Sequence, residues 1–205
     1  MGLYSRYIFP RLLERSMARG ACDEQRRAVV GRARGRVLEI GFGTGLNLPF
    51  YSEQVERVVT VEPNAGMRRW SSPRIAAARV PVDQHVLDAG GRLPFEEGAF
   101  DTVVSTWTMC SIRDVGAALA EAHRVLKSGG EFLFVEHGLS PEESVARWQR
   151  RLTPVFKLVG DGCHLDRDIE GIVRGSGMGV EVIEKFYLGD TPKVGGYTYR
   201  GTAVK

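Results

Sequence analysis

The sequence lacks the features that mark membrane-spanning, secreted or disulfide-rich proteins. No run of apolar residues approaches the roughly 18 residues of a membrane-spanning helix. The N-terminus has no continuous apolar core like that of a signal peptide. Only three cysteines occur in 205 residues, too far apart for a CxxC pair or a disulfide framework. We therefore expect a reduced, cytoplasmic protein, in which each cysteine is a small buried side chain rather than a ligand or nucleophile.

Excess charge of one sign is scarce as well. The net charge is +3, which is too small to indicate a nucleic-acid partner. The charge is uneven, because residues 1–36 hold nine arginines and only three acidic residues. Residues 4–13 mix these arginines with aromatic side chains. We interpret this basic N-terminus as a helical lid; the alternatives are peripheral membrane contact through an interfacial helix and an ordinary amphipathic helix.

What is present is an alternation of strand and helix patterns along a chain of one-domain length. Apolar, β-branched segments predict buried strands at residues 36–40, 57–62, 83–87, 100–106 and 131–136. Two alternating stretches, residues 180–188 and 196–204, follow one another without a helical pattern between them. They predict an antiparallel hairpin at the edge of the sheet. The sequence therefore predicts an α/β fold with a seven-stranded, mostly parallel sheet and helices on both faces.

Helix boundaries are predicted from capping residues and proline. Asp114 is predicted to cap a helix that runs to about Lys127. Ser140 is predicted to cap another, with proline at its first position. Pro154 is predicted to end or kink that second helix. Asp166 is predicted to start a short helix further along.

The strongest motif is a glycine-rich loop directly after the first predicted strand. The segment Val37–Gly45 reads VLEIGFGTG and leads into a predicted helix start at residues 46–48. Glycines let the backbone turn sharply and let a ligand approach the main chain. The carboxyl end of a parallel strand is also where open α/β sheets bind ligands.

Two residues distinguish between the cofactors that such a loop could hold. A dinucleotide site needs glycine at the position of Leu46. Glu39 would repel a pyrophosphate but favour the cationic end of a sulfonium amino acid. Glu62, at the end of the second strand, is placed to accept both ribose hydroxyls of either cofactor. The pattern therefore favours a sulfonium cofactor over a nicotinamide one.

These segments together resemble the class I S-adenosylmethionine-dependent methyltransferases over about residues 36–137. The glycine loop resembles their first motif, residues 61–64 their acidic second motif, and residues 87–89 their adenine-binding segment. Residues 124–130 resemble the turn before the fifth strand, with Ser128 where proline is usual. The resemblance implies a Rossmann-like fold and S-adenosylmethionine as cofactor, with S-adenosylhomocysteine as product. The candidate cofactor-binding residues are Glu39, Gly41, Gly43, Gly45, Asn47, Glu62, Pro63, Asp88, Ala89, Thr106 and Trp107.

The C-terminal half resembles the methyltransferase-like proteins that methylate alkyl thiols. Residues 136–137, 161–165 and 196–205 carry this likeness, and phospholipid N-methyltransferases and quinone C/O-methyltransferases match them less well. The animal thiol methyltransferases have a hydrophobic N-terminal anchor, which we expect this chain to lack. The expected function is methylation of a small molecule, with a thiol acceptor favoured. A phospholipid or quinone acceptor and a non-catalytic, cofactor-binding regulatory protein remain alternatives.

Direct methyl transfer needs orientation and, for a protonated acceptor, a base. His137 is the first candidate base, and Asp161 with His164 the second; a structural histidine and a turn with a helix cap are their alternatives. Trp107 either packs against the cofactor or acceptor or is a core aromatic. No metal site is predicted, because cysteine and histidine form no ligand cluster along the sequence. We expect one domain over residues 1–205, with a lid over 1–35 and a core over 36–205.

Overall fold

The computed structural model describes residues 2–205, in which seven strands form one sheet. The strands are β1 Gly35–Ile40, β2 Val55–Val61, β3 Val82–His85, β4 Phe100–Thr106, β5 Leu126–His137, β6 Gly179–Tyr187 and β7 Tyr197–Val204. Their order across the sheet is β3-β2-β1-β4-β5-β7-β6. The first five strands pair in parallel, whereas β7 is antiparallel to both β5 and β6. The predicted sheet and its antiparallel end are confirmed.

Helices surround this sheet and precede it. A π-helical segment, Tyr4–Ile8, continues into α1, and we call residues 4–17 the N-terminal helix. The α-helices are α1 Phe9–Met17, α2 Gly20–Val30, α3 Arg68–Ala76, α4 Val115–Val125, α5 Glu143–Val159, α6 Ile169–Arg174 and α7 Lys193–Gly196. Within residues 2–205, no helix combines the length and the apolar character needed to cross a membrane.

Side chains that alternate along each strand form two hydrophobic cores, one on each face of the sheet. Successive side chains in a strand point to opposite faces of the sheet. Val37 accordingly joins the core beneath α2, which contains Val30. Leu38 joins the larger core beneath α4 and α6, which contains Leu119 and Ile169. Each such side chain contributes about 1.5–3 kcal/mol when fully buried, so both faces hold the central strands in place.

The helix between β4 and β5 begins as predicted but ends earlier. Asp114 caps α4 by accepting a hydrogen bond from the backbone of the first turn. The helix ends at Val125 rather than near Lys127, because Leu126 already pairs with Phe100 as the first residue of β5. Gly129 and Gly130, which follow the predicted helix end, therefore lie inside β5, because pairing with β4 begins before them.

The predicted start of α5 at Ser140 is wrong. The helix begins at Glu143, and Ser140 lies outside it. The Ser140 hydroxyl accepts a hydrogen bond from the Glu142 backbone and is bonded to the Tyr187 hydroxyl at 2.7 Å. Its backbone N–H donates to the buried side chain of Gln149, 2.9 Å away. Ser140 resembles a helix cap in the sequence, but its hydrogen bonds to side chains of β6 and α5 hold it outside the helix.

Two further helix predictions are corrected. Pro154 does not end α5, which runs on to Val159. Proline lacks a backbone N–H, so the helix loses one hydrogen bond at this position. The packing of this 17-residue helix, in which the neighbouring residue Thr153 is buried, stabilises it by more than that loss. The short helix α6 is capped by Asp168 and not by Asp166, since the Asp168 carboxylate accepts the backbone N–H of the first helical turn.

Candidate functional site

A cavity of about 1360 Å³ opens at the carboxyl edge of the parallel strands. Its walls come from the loops after β1, β2, β4 and β5, from the N-terminal helix, and from α5 and the segment after it. Glu39 and Gly45 lie outside this lining. The predicted site residues that line the cavity are Gly41, Gly43, Asn47, Glu62, Pro63, Asp88, Ala89, Thr106, Trp107, His137, Asp161 and His164.

The glycine loop has the backbone that only glycine adopts readily. Gly41, Gly43 and Gly45 have φ values of 75°, 53° and 82°. A Cβ at Gly41 would overlap the side chain of Thr108. At Gly43 the nearest side chain is Leu13 of the N-terminal helix, 3.6 Å from an added Cβ. The loop therefore lies directly beneath the N-terminal helix and leaves its main chain open to the cavity.

The predicted helix start after the loop is wrong. A single 3₁₀ turn, Leu48–Phe50, follows the loop, and the chain then enters β2. A pyrophosphate bound by a glycine loop normally sits at the N-terminus of a full helix, whose partial positive charge stabilises it. This loop offers no such helix, which argues against a dinucleotide.

Glu39 acts through Asn47 and does not reach the cavity. Its carboxylate is fully buried and accepts hydrogen bonds from Asn47 Nδ2 at 2.8 Å and from the Tyr51 hydroxyl at 2.7 Å. Burial raises the pKa of Glu39 to about 7, against the opposing effect of the two hydrogen bonds. Asn47 lines the cavity, and its Oδ1 is buried with no partner within residues 2–205. Glu39 therefore orients Asn47, whose free oxygen can accept a ligand's N–H or ammonium.

Glu62 joins the glycine loop to the end of β2. One carboxylate oxygen accepts the Gly43 backbone N–H at 2.9 Å, and the other accepts that of Asn64 at 2.8 Å. Burial raises the pKa of Glu62, while these two hydrogen bonds oppose the rise. Each oxygen keeps a lone pair for a ligand hydroxyl. Asp88 lies further along the same wall and accepts the Gly90 backbone N–H at 2.9 Å.

Trp107 is held in a strained conformation after β4. Its φ is 49°, which is rare for a bulky side chain. The guanidinium of Arg26, from α2, lies 5.1 Å from the centre of its ring. Trp107 lines the cavity and also packs against the core beneath α2. A cation–π contact to a cationic acceptor would therefore have to use the ring face that Arg26 leaves free.

In a second wall of the cavity, three segments distant in sequence bring together Cys110, His137 and Cys163, which we call the Cys–His–Cys cluster. Cys110 follows β4, His137 ends β5, and Cys163 follows α5. Cys163 Sγ lies 3.2 Å from His137 Nε2. A hydrogen bond from the Cys163 thiol lowers the pKa of Cys110, and the same interaction raises that of Cys163. Burial lowers the pKa of His137, but the charge of Cys110, the hydrogen bond to Cys110 and the charge of Glu136 together outweigh burial, so the net pKa is raised.

Sequence reasoning interpreted the cysteines as small buried side chains and missed this cluster. It also gave no role to Glu136, which is fully buried beside His137. One oxygen of Glu136 accepts hydrogen bonds from the Ser105 hydroxyl and from the backbone of Thr108 and Met109 at 2.9–3.1 Å. Burial raises the pKa of Glu136 to about 8. An acidic residue within an apolar strand was the available signal, and its role is to hold the loop that carries Cys110.

Asp161 and His164 line the cavity next to the cluster but outside it. Asp161 Oδ2 accepts a hydrogen bond from the Ser5 hydroxyl at 2.7 Å. His164 donates its backbone N–H to the Cys110 carbonyl, and burial together with nearby cationic groups lowers its pKa. Asn64 Nδ2 donates to the Ser5 carbonyl at 2.8 Å. Ser5 thus connects the two walls of the cavity, a role that sequence reasoning did not find.

Comparisons with known proteins agree with this arrangement. A family model described as a methyltransferase domain matches residues 38–134. A thiol S-methyltransferase of Rattus norvegicus is 36% identical over 135 residues, which are 64% of this chain and 55% of that protein. A phosphatidylethanolamine N-methyltransferase of Cereibacter sphaeroides is 30% identical over 159 residues, which are 74% of this chain and 72% of that protein. The chain spans about half the length of the thiol S-methyltransferases that it matches.

Solved structures show the same fold at low identity. A putative methyltransferase of Haloferax volcanii, solved with the Trm112 methyltransferase activator, has a TM-score of 0.71 at 17% identity and covers 98% of this chain and 95% of its own. A methyltransferase of Methanosarcina mazei has a TM-score of 0.67 at 17% identity, covering 85% and 93%. The chain belongs to the S-adenosylmethionine-dependent methyltransferases.

The residues on this wall fit the cofactor of that family. Asn47 and Thr44 both line the cavity, and each has a buried polar atom without a partner within residues 2–205, which a bound polar ligand could satisfy. The carboxylates of Glu62 and Asp88 supply acceptors for hydroxyl and amino groups. The main chain at Gly43, which has no side chain of its own, would let the amino-acid end of that cofactor approach closely.

Proposed function

We propose that this protein transfers the methyl group of S-adenosylmethionine to a small-molecule thiol. The observation that carries the proposal is the cavity itself, whose one wall suits the cofactor and whose other wall holds the Cys–His–Cys cluster. A thiol must lose its proton before it attacks, and this wall is the part of the cavity richest in ionisable groups. The relatives named thiol S-methyltransferases support the same acceptor.

The protein's residues act mainly by orientation. Asn47, Glu62 and Asp88 are proposed to fix the cofactor so that its methyl carbon points across the cavity. The acceptor sulfur then forms its bond to that carbon as the sulfonium bond breaks, and the electron pair stays on the departing thioether. Alignment of this kind can supply roughly 7–11 kcal/mol of the barrier. His137, at the end of β5, is the candidate to take the thiol proton, with Asp161 and His164 close by.

A screen with labelled S-adenosylmethionine tests the acceptor. The full chain is incubated with an alkyl thiol, an aryl thiol, a primary amine, a phenol and phosphatidylethanolamine vesicles, and transfer of label is measured. We expect label in the thiols and at least ten-fold less in the others, with heat-denatured protein as the inactive control. Label only in amine or lipid would refute the thiol proposal. Binding of S-adenosylhomocysteine without transfer to any acceptor would indicate a non-catalytic protein.

A lipid acceptor is the second proposal, because two segments at the cavity expose apolar side chains. The N-terminal helix exposes Tyr7, Ile8 and Leu12, with Leu3 exposed just before it, and α5 exposes Trp148, Val155, Leu158 and Val159. The segments meet where the Tyr4 hydroxyl donates to the Val159 carbonyl at 2.6 Å. Such a surface suits peripheral contact with a bilayer, from which a lipid headgroup could reach the cavity.

A further inference from the structure

The Cys–His–Cys cluster has the donor atoms and the spacing of a metal site. The two Sγ atoms and a ring nitrogen of the histidine all lie within 4.8 Å of one another. Donors bound to one tetrahedral ion, at about 2.3 Å for sulfur and about 2.0–2.1 Å for nitrogen, stand roughly 3.6–3.8 Å apart. The 3.2 Å separation of Cys163 Sγ and His137 Nε2 is close to that value. One ion can therefore reach all three donors after small side-chain rotations.

The backbone around the cluster is already fixed. The loop that carries Cys110 is held from one side by the Glu136 carboxylate, which accepts two of its backbone N–H groups. From the other side, the Arg167 guanidinium donates to the carbonyls of Met109 and Ile112. His137 lies within a paired strand, opposite Thr198 of β7. Rigid support of this kind is what a preorganised ligand set needs, since it lowers the entropy lost on binding.

The charges also balance once an ion is present. Two thiolates neutralise a divalent cation, and the histidine binds as a neutral ligand. A buried set with no net charge avoids most of the desolvation cost of isolated ions.

We propose that the Cys–His–Cys cluster binds a thiophilic divalent metal ion, with zinc as the favoured ion and the fourth coordination position open to the cavity. Two sulfurs and one imidazole are a donor set that selects zinc over the hard, oxygen-preferring cations. Three protein ligands with an open position are the pattern of catalytic rather than structural zinc sites. The spacing of the cysteines along the sequence predicted no metal, because the donors come together only in the fold.

The open coordination position on the metal ion suggests how the acceptor thiol would bind, an inference that rests on the proposed function. An acceptor thiol would bind the ion there as a thiolate, releasing its proton to solvent. The metal-held sulfur then forms its bond to the methyl carbon while the sulfonium bond breaks and its electron pair stays on S-adenosylhomocysteine. His137 would be a ligand in this arrangement and not a base, so metal binding decides between its two roles.

Metal binding by the full chain is the first test. The metal content of the purified protein is measured, and the phosphine-reduced, EDTA-stripped protein is titrated with zinc against a chromophoric chelator and with cobalt(II). We expect one equivalent of zinc and a thiolate-to-cobalt absorption band. Cys110→Ser, Cys163→Ser and His137→Ala should each weaken zinc binding by more than about 100-fold, beyond the effect of losing a supporting residue.

Cys22→Ser is the matched control, because Cys22 is a buried free cysteine on α2 that does not line the cavity. Its zinc affinity should equal that of the unmodified chain. Circular dichroism melting of the stripped variants shows which of them fold, and Cys163→Ser changes only a partly exposed loop residue. Failure of the unmodified chain to bind zinc, or equal weakening in Cys22→Ser, would overturn the proposal.

Activity measurements test the metal site and the proposed methyl transfer separately. Thiol methylation should fall at least ten-fold on stripping and return with zinc. If zinc binds tightly but no thiol is methylated, the metal site stands and the proposed acceptor fails. If the stripped protein methylates thiols at the full rate, the proposed function stands and the coordinated thiolate is refuted.

Discussion

At the scale of single residues, the Glu62 carboxylate binds the backbone of two loops and can also bind a ligand. Both of its oxygens already accept backbone N–H groups, from the glycine loop and from the segment after β2. Its remaining lone pairs face the cavity. A carboxylate that is used this way is fixed in position before any ligand arrives, which is the condition for a strong charged hydrogen bond.

Replacing Glu62 should therefore weaken cofactor binding. We expect Glu62→Ala to reduce the affinity for S-adenosylhomocysteine by about 1–3 kcal/mol, the range of a buried charged hydrogen bond. Isothermal titration calorimetry measures the change. Glu56→Ala is the control, since Glu56 lies on the same strand but is exposed. An unchanged affinity in Glu62→Ala would mean that the ribose binds elsewhere.

Glu39 should make the stability of the protein depend on pH. Its folded pKa of about 7 lies above the unfolded value of 4.5, so its contribution is fully present below pH 4.5 and is lost as the pH rises through 7. The difference in unfolding free energy between the unmodified chain and Glu39→Gln should thus fall by on the order of 3 kcal/mol from pH 4 to pH 8. Urea denaturation at several pH values measures it, and a flat difference would show that Glu39 titrates normally.

At the scale of elements, the N-terminal helix is tied to both walls of the cavity. Ser5 is buried and binds Asn64 on the cofactor wall and Asp161 on the other. A salt bridge of 2.5 Å between Arg74 and Glu14 adds a second tie near the glycine loop. These contacts support the proposal that residues 1–35 form a lid.

Removing the Ser5 hydroxyl should loosen that helix without unfolding the core. The loss of one buried hydrogen bond, about 1 kcal/mol, should increase amide hydrogen exchange in the N-terminal helix about five-fold in Ser5→Ala. Ser16→Ala is the control, because the Ser16 hydroxyl is exposed and bonds only within its own helix. Exchange measured by mass spectrometry that is equal in both variants would argue against a lid fastened by Ser5.

At the scale of the whole molecule, apolar and basic surface coincide. The exposed apolar side chains of the N-terminal helix and α5 lie among exposed arginines. Those arginines are Arg6, Arg11, Arg15, Arg147, Arg150 and Arg151. Basic residues next to apolar ones are the composition of a surface that binds anionic lipid.

We expect the full chain to sediment with vesicles that contain phosphatidylserine and to stay in solution with neutral ones. Leu158→Glu and Trp148→Glu should each reduce binding several-fold, because a charge replaces an apolar contact. Val182→Glu, an exposed position on the distant strand β6, is the control and should bind as the unmodified chain does. Equal absence of binding to both vesicle types would remove the membrane proposal.

Much of the sheet was predictable, whereas most helix boundaries were not. The buried strands β1, β2, β4 and β5 contain apolar runs that can be recognised locally, whereas the predicted buried strand at residues 83–87 is the half-buried edge strand β3. Phe100–Thr106 was predicted to the residue. Helix ends depend on competition between local caps and distant partners, and Ser140 shows this, since a tyrosine from β6 and a glutamine from α5 bind it instead. Pro154 is a second case, because the packing of α5 keeps the helix intact past a residue that normally ends one.

The sequence alone determined the strands of the cofactor half, the glycine loop and the acids that follow it. Each of these follows from spacing along one strand–loop unit, where neighbours in sequence are neighbours in space. Only the tertiary structure decided that Glu39 acts through Asn47, that Ser5 joins two walls, and that Cys110, His137 and Cys163 meet. Those contacts join segments that are far apart in the chain. The local sequence pattern of a segment does not indicate which distant loops will lie beside it at one edge of a sheet.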